Sequence, residues 1–366
     1  MSVTTTPFGT TKNGEAVTKY TITNGNNMSI SVIDFGACLT NVMVPDKKGE
    51  LADVVLGYDD VAGYETNGVF FGSFIGRNSN RIGGSRFELN GVTYEVEKNE
   101  GENNLHGGTP GYHKVMYKAE TTDNSVSLSR LSPDMEQGFP GNMEVKVTYT
   151  LTEDNEIKIQ YQAKSDKDTI CNLTNHSYFN LAGHNSGTIE KHEVCLKASG
   201  ISEVSDDLIP TGVTIDVTDT PMDFRVKKVT GQDIDKDYPA LKQGAGYDHN
   251  YCLDKEDGVY DKIGEVTDPE SGRTMEIYTD LPGVQFYSGN YIDNVAGKEG
   301  AVYGKRAGFC FETQFFPNCM NIPEFKNCVL KAGEEFNSTT TYKFIRFKPH
   351  KKEKLPERKF RQNFLT

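Results

Sequence analysis

Short runs in which apolar and polar residues alternate cover most of the chain. A period of two is typical of strands that bury one face. Two such runs are hairpins: residues 85–97 turn at Asn90-Gly91, a preferred type I′ pair, and residues 143–163 turn at 153–155. Further strands are predicted at 18–23, 28–34, 37–44, 114–119, 125–131, 192–198, 274–279, 284–288, 308–313 and 340–346.

Helical periodicity is nearly absent, and residues 59–64 alone suggest a short helix or turn. Many short strands without a repeat or linker predict an all-β protein, built as a large antiparallel sandwich or barrel. We expect one domain over residues 1–346. Residues 347–366 form a basic C-terminal extension with seven Lys or Arg against two Glu, which is either a solvated extension or a docking arm.

Composition narrows the classes of partner. The formal charge of −13 argues against a nucleic-acid partner, because phosphate backbones require a basic surface. A small neutral ligand needs no such steering. The seven cysteines are scattered without a C-x-x-C pair, which indicates buried free thiols in a reducing compartment, and therefore a cytoplasmic protein. No run has the features of a secretion signal or a membrane span, so no membrane partner is expected.

Two segments carry candidate acid/base groups. In residues 174–184, His176 lies among side chains that can orient an imidazole or hold hydroxyl groups: Asn175, Ser177, Tyr178 and Asn180. In residues 308–318, Glu312 ends an apolar strand, where burial would raise the pKa of its carboxyl toward working pH. One titratable acid and one titratable base on polar-lined strands indicate proton-transfer chemistry.

Glycine-bounded loops add candidate ligand-binding groups. Arg77 and Arg81 are either ligand-binding or structural, and the residues alone do not decide between them. His106 precedes a Gly-Gly pair, and Asp248 follows a glycine turn; each also has a structural interpretation. Alternation places Gln285 and Tyr287 on one strand face and Phe286 on the other.

Neither a phosphate-binding loop nor a regular metal-ligand spacing occurs in the sequence, so no cofactor and no metal are expected.

In combination, these segments resemble the aldose 1-epimerase (galactose mutarotase) family. The resemblance covers nearly the whole chain to about residue 346, in the family's order, through FGACLTNVMVPDKKG (35–49), DVVLGYDD (53–60), GRNSNRIGG (76–84), NNLHGG (103–108), GFPG (138–141), NLTNHSYFNLAGH (172–184), IPTGVTIDVTDTPMDFR (209–225), GYDHNY (246–251), LPGVQFYSGN (281–290), FETQFFPN (311–318) and PEF (323–325). It implies a large antiparallel β-sandwich with a concave sugar-binding face. It also implies His176 as general acid and Glu312 as general base, with sugar hydroxyls held by Asn80, Arg81, His106, Tyr178, Asp248 and Gln285.

The resemblance implies interconversion of the α and β anomers of free hexoses such as galactose and glucose. Glu312 would take the C1 hydroxyl proton while His176, held as imidazolium by carboxylates such as Asp248, protonates the ring oxygen. The reverse assignment of acid and base stays open. Alternatives are a hexose-6-phosphate mutarotase, a glycoside hydrolase or a non-catalytic sugar sensor. We expect a monomer or weak dimer.

Overall fold

The computed structural model describes residues 1–345, whose regular secondary structure is mainly antiparallel strands. In chain order the strands are β1 Ser2–Thr10, β2 Ala16–Thr23, β3 Ser29–Ile33, β4 Leu39–Pro45, β5 Leu51–Asp53, β6 Ser73–Ile75, β7 Arg81–Ile82, β8 Arg86–Leu89, β9 Val92–Glu95, β10 Asn104–Leu105, β11 Lys118–Thr121, β12 Ser125–Ser132, β13 Met143–Leu151, β14 Glu156–Ser165, β15 Thr169–Ile170, β16 Thr174–His176, β17 Glu193–Leu196, β18 Ala198–Val204, β19 Pro210–Asp216, β20 Lys228–Val229, β21 Asp248–Leu253, β22 Asp261–Thr267, β23 Thr274–Thr279, β24 Gly283–Tyr287, β25 Val295–Ala296, β26 Val302–Tyr303, β27 Cys310–Gln314, β28 Val329–Leu330 and β29 Glu335–Phe344.

Helical segments are few and short. Helix α1, Val61–Thr66, begins where the Asp60 carboxylate accepts a 2.9 Å hydrogen bond from the Gly63 amide. Helix α2, Pro239–Gln243, has proline in its first turn. Single 3₁₀ turns occur at Gly83–Ser85, Tyr112–Lys114, Thr230–Gln232 and Lys298–Gly300. No helix in residues 1–345 has the length and apolar character needed to cross a lipid bilayer.

Three sheets carry the architecture. One five-stranded sheet runs β1-β2-β3-β4-β5, and a nine-stranded sheet runs β11-β12-β13-β14-β29-β23-β22-β17-β20. A second five-stranded sheet, with order β19-β18-β21-β24-β27, carries Asp248, Gln285 and Glu312. Two-stranded ladders include β7 with β10 and β6 with β16, and β16 contacts β27 of this sheet.

Alternating burial explains how the sheets pack. Along β13 every second residue is buried, from Met143 to Leu151, and β14 follows the same period. One contiguous apolar cluster includes Ile30 of the first sheet, Tyr149 of the nine-stranded sheet and Phe311 of the second five-stranded sheet. The protein is therefore an all-β antiparallel sandwich, as the sequence predicts.

Both predicted hairpins are present, and Asn90 and Gly91 adopt the positive φ angles of 54° and 75° that a type I′ turn requires. The strand predicted at 114–119 is wrong over most of its length. The chain makes a 3₁₀ turn over Tyr112–Lys114, and Met116 forms only an isolated bridge with Phe35 before β11 begins. The predicted C-terminal extension, residues 347–366, lies outside the described residues.

Candidate active site

The ladder between β24 and β27 places the candidate base. Gln285 lies opposite Glu312 and Phe286 lies opposite Phe311 in an antiparallel register. Because side chains alternate, the two phenylalanine rings stack toward the core at 4.9 Å, while Gln285 and Glu312 face a cavity. Phe311 thus anchors β27 in the core, and the next residue, Glu312, faces the cavity.

His176 meets Glu312 from the end of β16, which pairs with β6. Its Nε2 lies 3.5 Å from Oε1 of Glu312, and the two residues are only 4% and 2% exposed. The imidazole is flanked by the rings of Phe70 and Tyr178, at centroid distances of 5.6 and 5.0 Å and interplanar angles of 29° and 31°. These two rings pack against the imidazole and restrict its rotation.

Burial changes the protonation of this pair. It lowers the pKa of His176 to about 4. Burial, reinforced by Asp248, raises the pKa of the Glu312 carboxyl well above its usual range, although Arg81 opposes the shift. Burial therefore favours the neutral imidazole in the free protein, contrary to the sequence-based expectation that nearby carboxylates keep His176 protonated. Oε2 of Glu312 is buried and has no protein partner among the described residues.

A second corner of the cavity is built by Asn80, Arg81 and His106. Strands β7 and β10 pair here, and Asn80 and His106 form two hydrogen bonds with each other. The Asn80 amide donates to Nδ1 of His106 at 3.1 Å, and the His106 amide donates to the Asn80 carbonyl at 3.1 Å. Nδ1 of His106 is thus an acceptor, so Nε2 carries the proton of the neutral ring and is a donor.

Arg81 is held by an ion pair with Glu100. Its Nε and Nη2 donate to the two carboxylate oxygens at 2.7 and 2.8 Å, a bidentate arrangement. Nη1 takes no part in this pair and is the guanidinium nitrogen left for a ligand. Arg81 also lowers the pKa of the half-buried Asp248, against a larger rise caused by burial.

A chain of amides orients Gln285 and Asp248. Nε2 of Gln285 donates to Asp248 at 2.8 Å, and its Oε1 accepts from Gln314 at 3.4 Å. Gln314 in turn accepts from the Ser79 hydroxyl at 3.3 Å. Since the donors and acceptors of Gln285 are assigned by these neighbours, its amide presents a fixed orientation to the cavity.

All eight candidate residues line one cavity of about 380 Å³, within the range of small-molecule sites, about 300–1,000 Å³. They are Asn80, Arg81, His106, His176, Tyr178, Asp248, Gln285 and Glu312. Its wall also contains Phe70, Glu100, Tyr287 and Tyr291. Among the described lining residues, Arg81 is the one Lys or Arg side chain, against three carboxyl groups, and it is already paired with one of them, Glu100. That balance does not suit a phosphate group.

Other polar residues of the motifs serve the fold. Arg77 is buried and donates to the carbonyls of Ser132, Pro133 and Pro140 at 2.7–3.0 Å. The expectation that the polar neighbours of His176 orient its ring is wrong for Asn175, Ser177 and Asn180. Asn175 binds the Gly72 carbonyl and accepts from Ser177, and Asn180 binds the Ala307 carbonyl.

Sequence reasoning missed Phe70, Glu100, Cys310 and Gln314. Cys310 and Gln314 lie two residues either side of Glu312, so strand alternation contained the signal for both. Phe70 has a positive φ of 62°, uncommon for a bulky residue, and no sequence pattern marks it. Glu100 reaches Arg81 from a separate loop.

One trio of donor groups resembles a metal centre. The nearest ligand atoms of His106, His176 and Glu312 all lie within 4.8 Å of one another. A catalytic zinc usually has three protein ligands with free lone pairs. Nδ1 of His106 already accepts the Asn80 amide, and the proton on Nε2 blocks the other nitrogen. The trio therefore offers two usable ligands and does not fit a metal.

The chain is similar to known proteins along nearly its whole length. Residues 18–343 match the family model described as aldose 1-epimerase. Galactose mutarotase from Mus musculus is 41% identical over 345 residues, covering 94% of this chain and 99% of that protein. Galactose mutarotase from Homo sapiens is 40% identical, with 94% and 98% covered. The crystal structure of an aldose epimerase homologue from C. elegans matches with a TM-score of 0.82 and 29% identity, covering 88% of this chain and 97% of that one.

Proposed function

The chain belongs to the aldose 1-epimerase family and is an isomerase that interconverts the anomers of an aldose; from this premise we propose that its substrates are free hexoses such as galactose and glucose, with Glu312 and His176 as the catalytic pair. The observation that carries the assignment is the 3.5 Å approach of Nε2 to Oε1 between two buried side chains that line the cavity. Galactose is proposed because the similar mammalian proteins are named for it.

In the proposed reaction, Glu312 accepts the proton of the C1 hydroxyl as Nε2 of His176 donates a proton to the ring oxygen. The bond between C1 and the ring oxygen breaks, and the open-chain aldehyde forms. Rotation about C1–C2 presents the other carbonyl face, and reclosure returns both protons. Each positioned proton transfer contributes roughly 10²–10⁴ in rate.

Burial of the pair supports this exchange. A neutral imidazole beside a protonated carboxyl contains as many protons as an imidazolium beside a carboxylate. The first arrangement is favoured by burial in the free protein, and the second is the form that opens the sugar ring. Because ring closure uses the two groups in reversed roles, the pair passes through both arrangements in every turnover. One exchangeable proton therefore suffices in each direction.

The six candidate residues other than His176 and Glu312 would hold the sugar. His106 Nε2, Arg81 and the Gln285 amide supply donors, and Asp248 supplies acceptors. Tyr178 and Tyr287 provide apolar ring surface against which a pyranose can lie. The one Lys or Arg of the described lining, Arg81, is already paired with Glu100, which favours a neutral hexose over a hexose 6-phosphate.

We also propose a cytoplasmic location and a monomer or weak dimer. The seven cysteines are all free in the structure, which is consistent with a reducing compartment. The net charge of −13 supports a small-molecule partner rather than a nucleic acid. Sedimentation velocity over a range of concentrations measures the oligomeric state.

Polarimetry on freshly dissolved α-galactose tests the function. Wild-type protein should accelerate the change in optical rotation, and Glu312→Gln should lower kcat by about 10²–10⁴ with little change in KM. The matched control Glu324→Gln alters an exposed carboxylate and should leave kcat unchanged. Binding of galactose by wild type without acceleration would establish a sensor. Near-normal mutarotation by Glu312→Gln would show that another group is the base.

A further inference from the structure

Cys310 contacts the nitrogen of His176 that faces away from Glu312. Its Sγ lies 3.5 Å from Nδ1, while Oε1 of Glu312 lies 3.5 Å from Nε2. Both side chains come from the same face of β27, two residues apart. A single strand therefore contacts both ring nitrogens, while the rings of Phe70 and Tyr178 pack against the imidazole.

The proposed proton exchange defines what this contact must do. The mobile proton moves between Glu312, the sugar and Nε2 of His176. In the imidazolium both nitrogens carry a proton, and after donation from Nε2 the remaining proton must stay on Nδ1. Nδ1 thus keeps its proton throughout turnover and needs an acceptor, because the His176 side chain is buried.

We propose that Cys310 is a positioning residue, whose sulfur accepts the hydrogen bond from Nδ1–H of His176 and so reserves Nε2 for proton exchange with the sugar. This inference rests on the proposed function of the His176–Glu312 pair. A sulfur atom is a weak acceptor, but it is the side-chain partner that the structure gives to Nδ1 among the described residues.

A further observation agrees with this role. The Cys310 side chain is fully buried, and burial with the nearby carboxylates of Glu312 and Asp248 raises the pKa of its thiol well above the usual value. Cys310 therefore stays a neutral thiol and is not a nucleophile.

The first test compares three variants by polarimetry. Cys310→Ala should lower kcat by roughly 2- to 10-fold, the equivalent of one neutral hydrogen bond, with little change in KM. Cys310→Ser keeps an acceptor and should recover part of the loss. The matched control Cys38→Ala removes an equally buried thiol that contacts the Gly36 carbonyl instead, and should leave kcat unchanged. Equal losses in Cys310→Ala and Cys38→Ala would reduce the effect to packing and overturn the role.

The second test reads the tautomer directly and needs no variant of Cys310. In wild-type protein labelled with ¹⁵N-histidine, the signals of His176 are those absent from His176→Asn. At neutral pH the expected shifts are those of a protonated Nδ1 and an unprotonated Nε2. A proton on Nε2 in the neutral ring would overturn the proposal even if mutarotation is normal. Absence of mutarotation with the expected tautomer would instead refute the proposed function.

Discussion

The two faces of the β24–β27 ladder make a direct comparison within one element. On one face, Phe286 and Phe311 stack in the apolar core. On the other, Gln285 and Glu312 face the cavity, one residue away along each strand. The apolar face fixes the backbone, and the polar face uses that rigidity to hold groups that are costly to bury. Neighbouring residues of one strand therefore have different roles: one stabilises the core, and the next one faces the site of catalysis.

The largest expected effect lies on the polar face. The single variants His176→Asn and Glu312→Gln should each lower kcat by roughly 10²–10⁴. The double variant should be only slightly worse than either, because the two groups act as one proton-exchanging unit. Polarimetric kcat values for the four proteins measure the coupling. Losses that multiply would mean that the two residues act independently.

On the apolar face, Phe311→Ala should lower the free energy of unfolding by about 3–5 kcal/mol, since it leaves a cavity against Phe286. Urea unfolding measures the loss. Val302→Ala, at a position 65% exposed, is the control and should change stability by less than about 0.5 kcal/mol. A Phe311→Ala protein of normal stability but abolished turnover would break the separation of the two faces.

The same separation should appear in two arginines four residues apart. Arg77→Lys should lower the unfolding free energy by at least about 2 kcal/mol, because several buried carbonyls lose their donors. Arg81→Lys loses the bidentate pair with Glu100 and should raise KM for galactose roughly 10-fold with little change in stability. Unfolding curves and polarimetry on both proteins distinguish the outcomes, and an exchange of the two phenotypes would refute the assignment.

Buried histidines should make the fold sensitive to acid. Burial lowers the pKa to about 3 for His113 and about 4 for His176, His192 and His249. Above pH 6.5 these imidazoles are neutral in both the folded and the unfolded protein. Below pH 6.5 the imidazoles of the unfolded chain take up protons first, so the free energy of unfolding falls until the pH reaches the pKa of the folded state. Each group contributes up to about 1.4 kcal/mol per pH unit.

The raised pKa values of Glu312, Asp248 and Asp34 act in the opposite direction, because the folded state then binds protons more tightly as pH falls. The histidines are more numerous, so the urea midpoint should decrease between pH 6.5 and pH 5. His249→Gln should reduce that decrease, since it removes one titrating ring. A midpoint independent of pH would contradict these shifts.

The smallest expected effect is that of chelation. Extended dialysis against EDTA should leave kcat unchanged, because His106 has no free lone pair to complete a metal site. Activity measured before and after dialysis provides the test. Loss of turnover that a divalent ion restores would overturn the metal-free mechanism.

The sequence predicts local features of the fold well. The type I′ pair Asn90-Gly91 and the alternation of 143–163 define hairpins without information from elsewhere in the chain. Strands such as β1 and β19 were not predicted, because their many exposed threonines and glycines lack a clean alternation. The error at 114–119 arises because Met116 is extended for a single bridge to Phe35, a contact that local pattern does not encode.

For the site, residue chemistry and family resemblance together select the eight cavity residues, but not the contacts that hold them. Whether Asn175 binds a ligand or the Gly72 carbonyl depends on a pairing 103 residues away along the chain. The effect of burial on His176 likewise depends on Phe70 and Tyr178 closing over its ring. Sequence identifies the groups, whereas long-range packing determines their protonation and orientation.

The position of β29 has a consequence for the synthesis of the protein. This strand, Glu335–Phe344, lies in the interior of the nine-stranded sheet, between β14 and β23, which precede it by many residues. During translation, β14 and β23 each have an unpaired edge until β29 has left the ribosome. Non-local pairing of this kind slows folding and exposes the nascent chain to aggregation. Chaperone dependence should therefore be greatest just before residue 344 emerges.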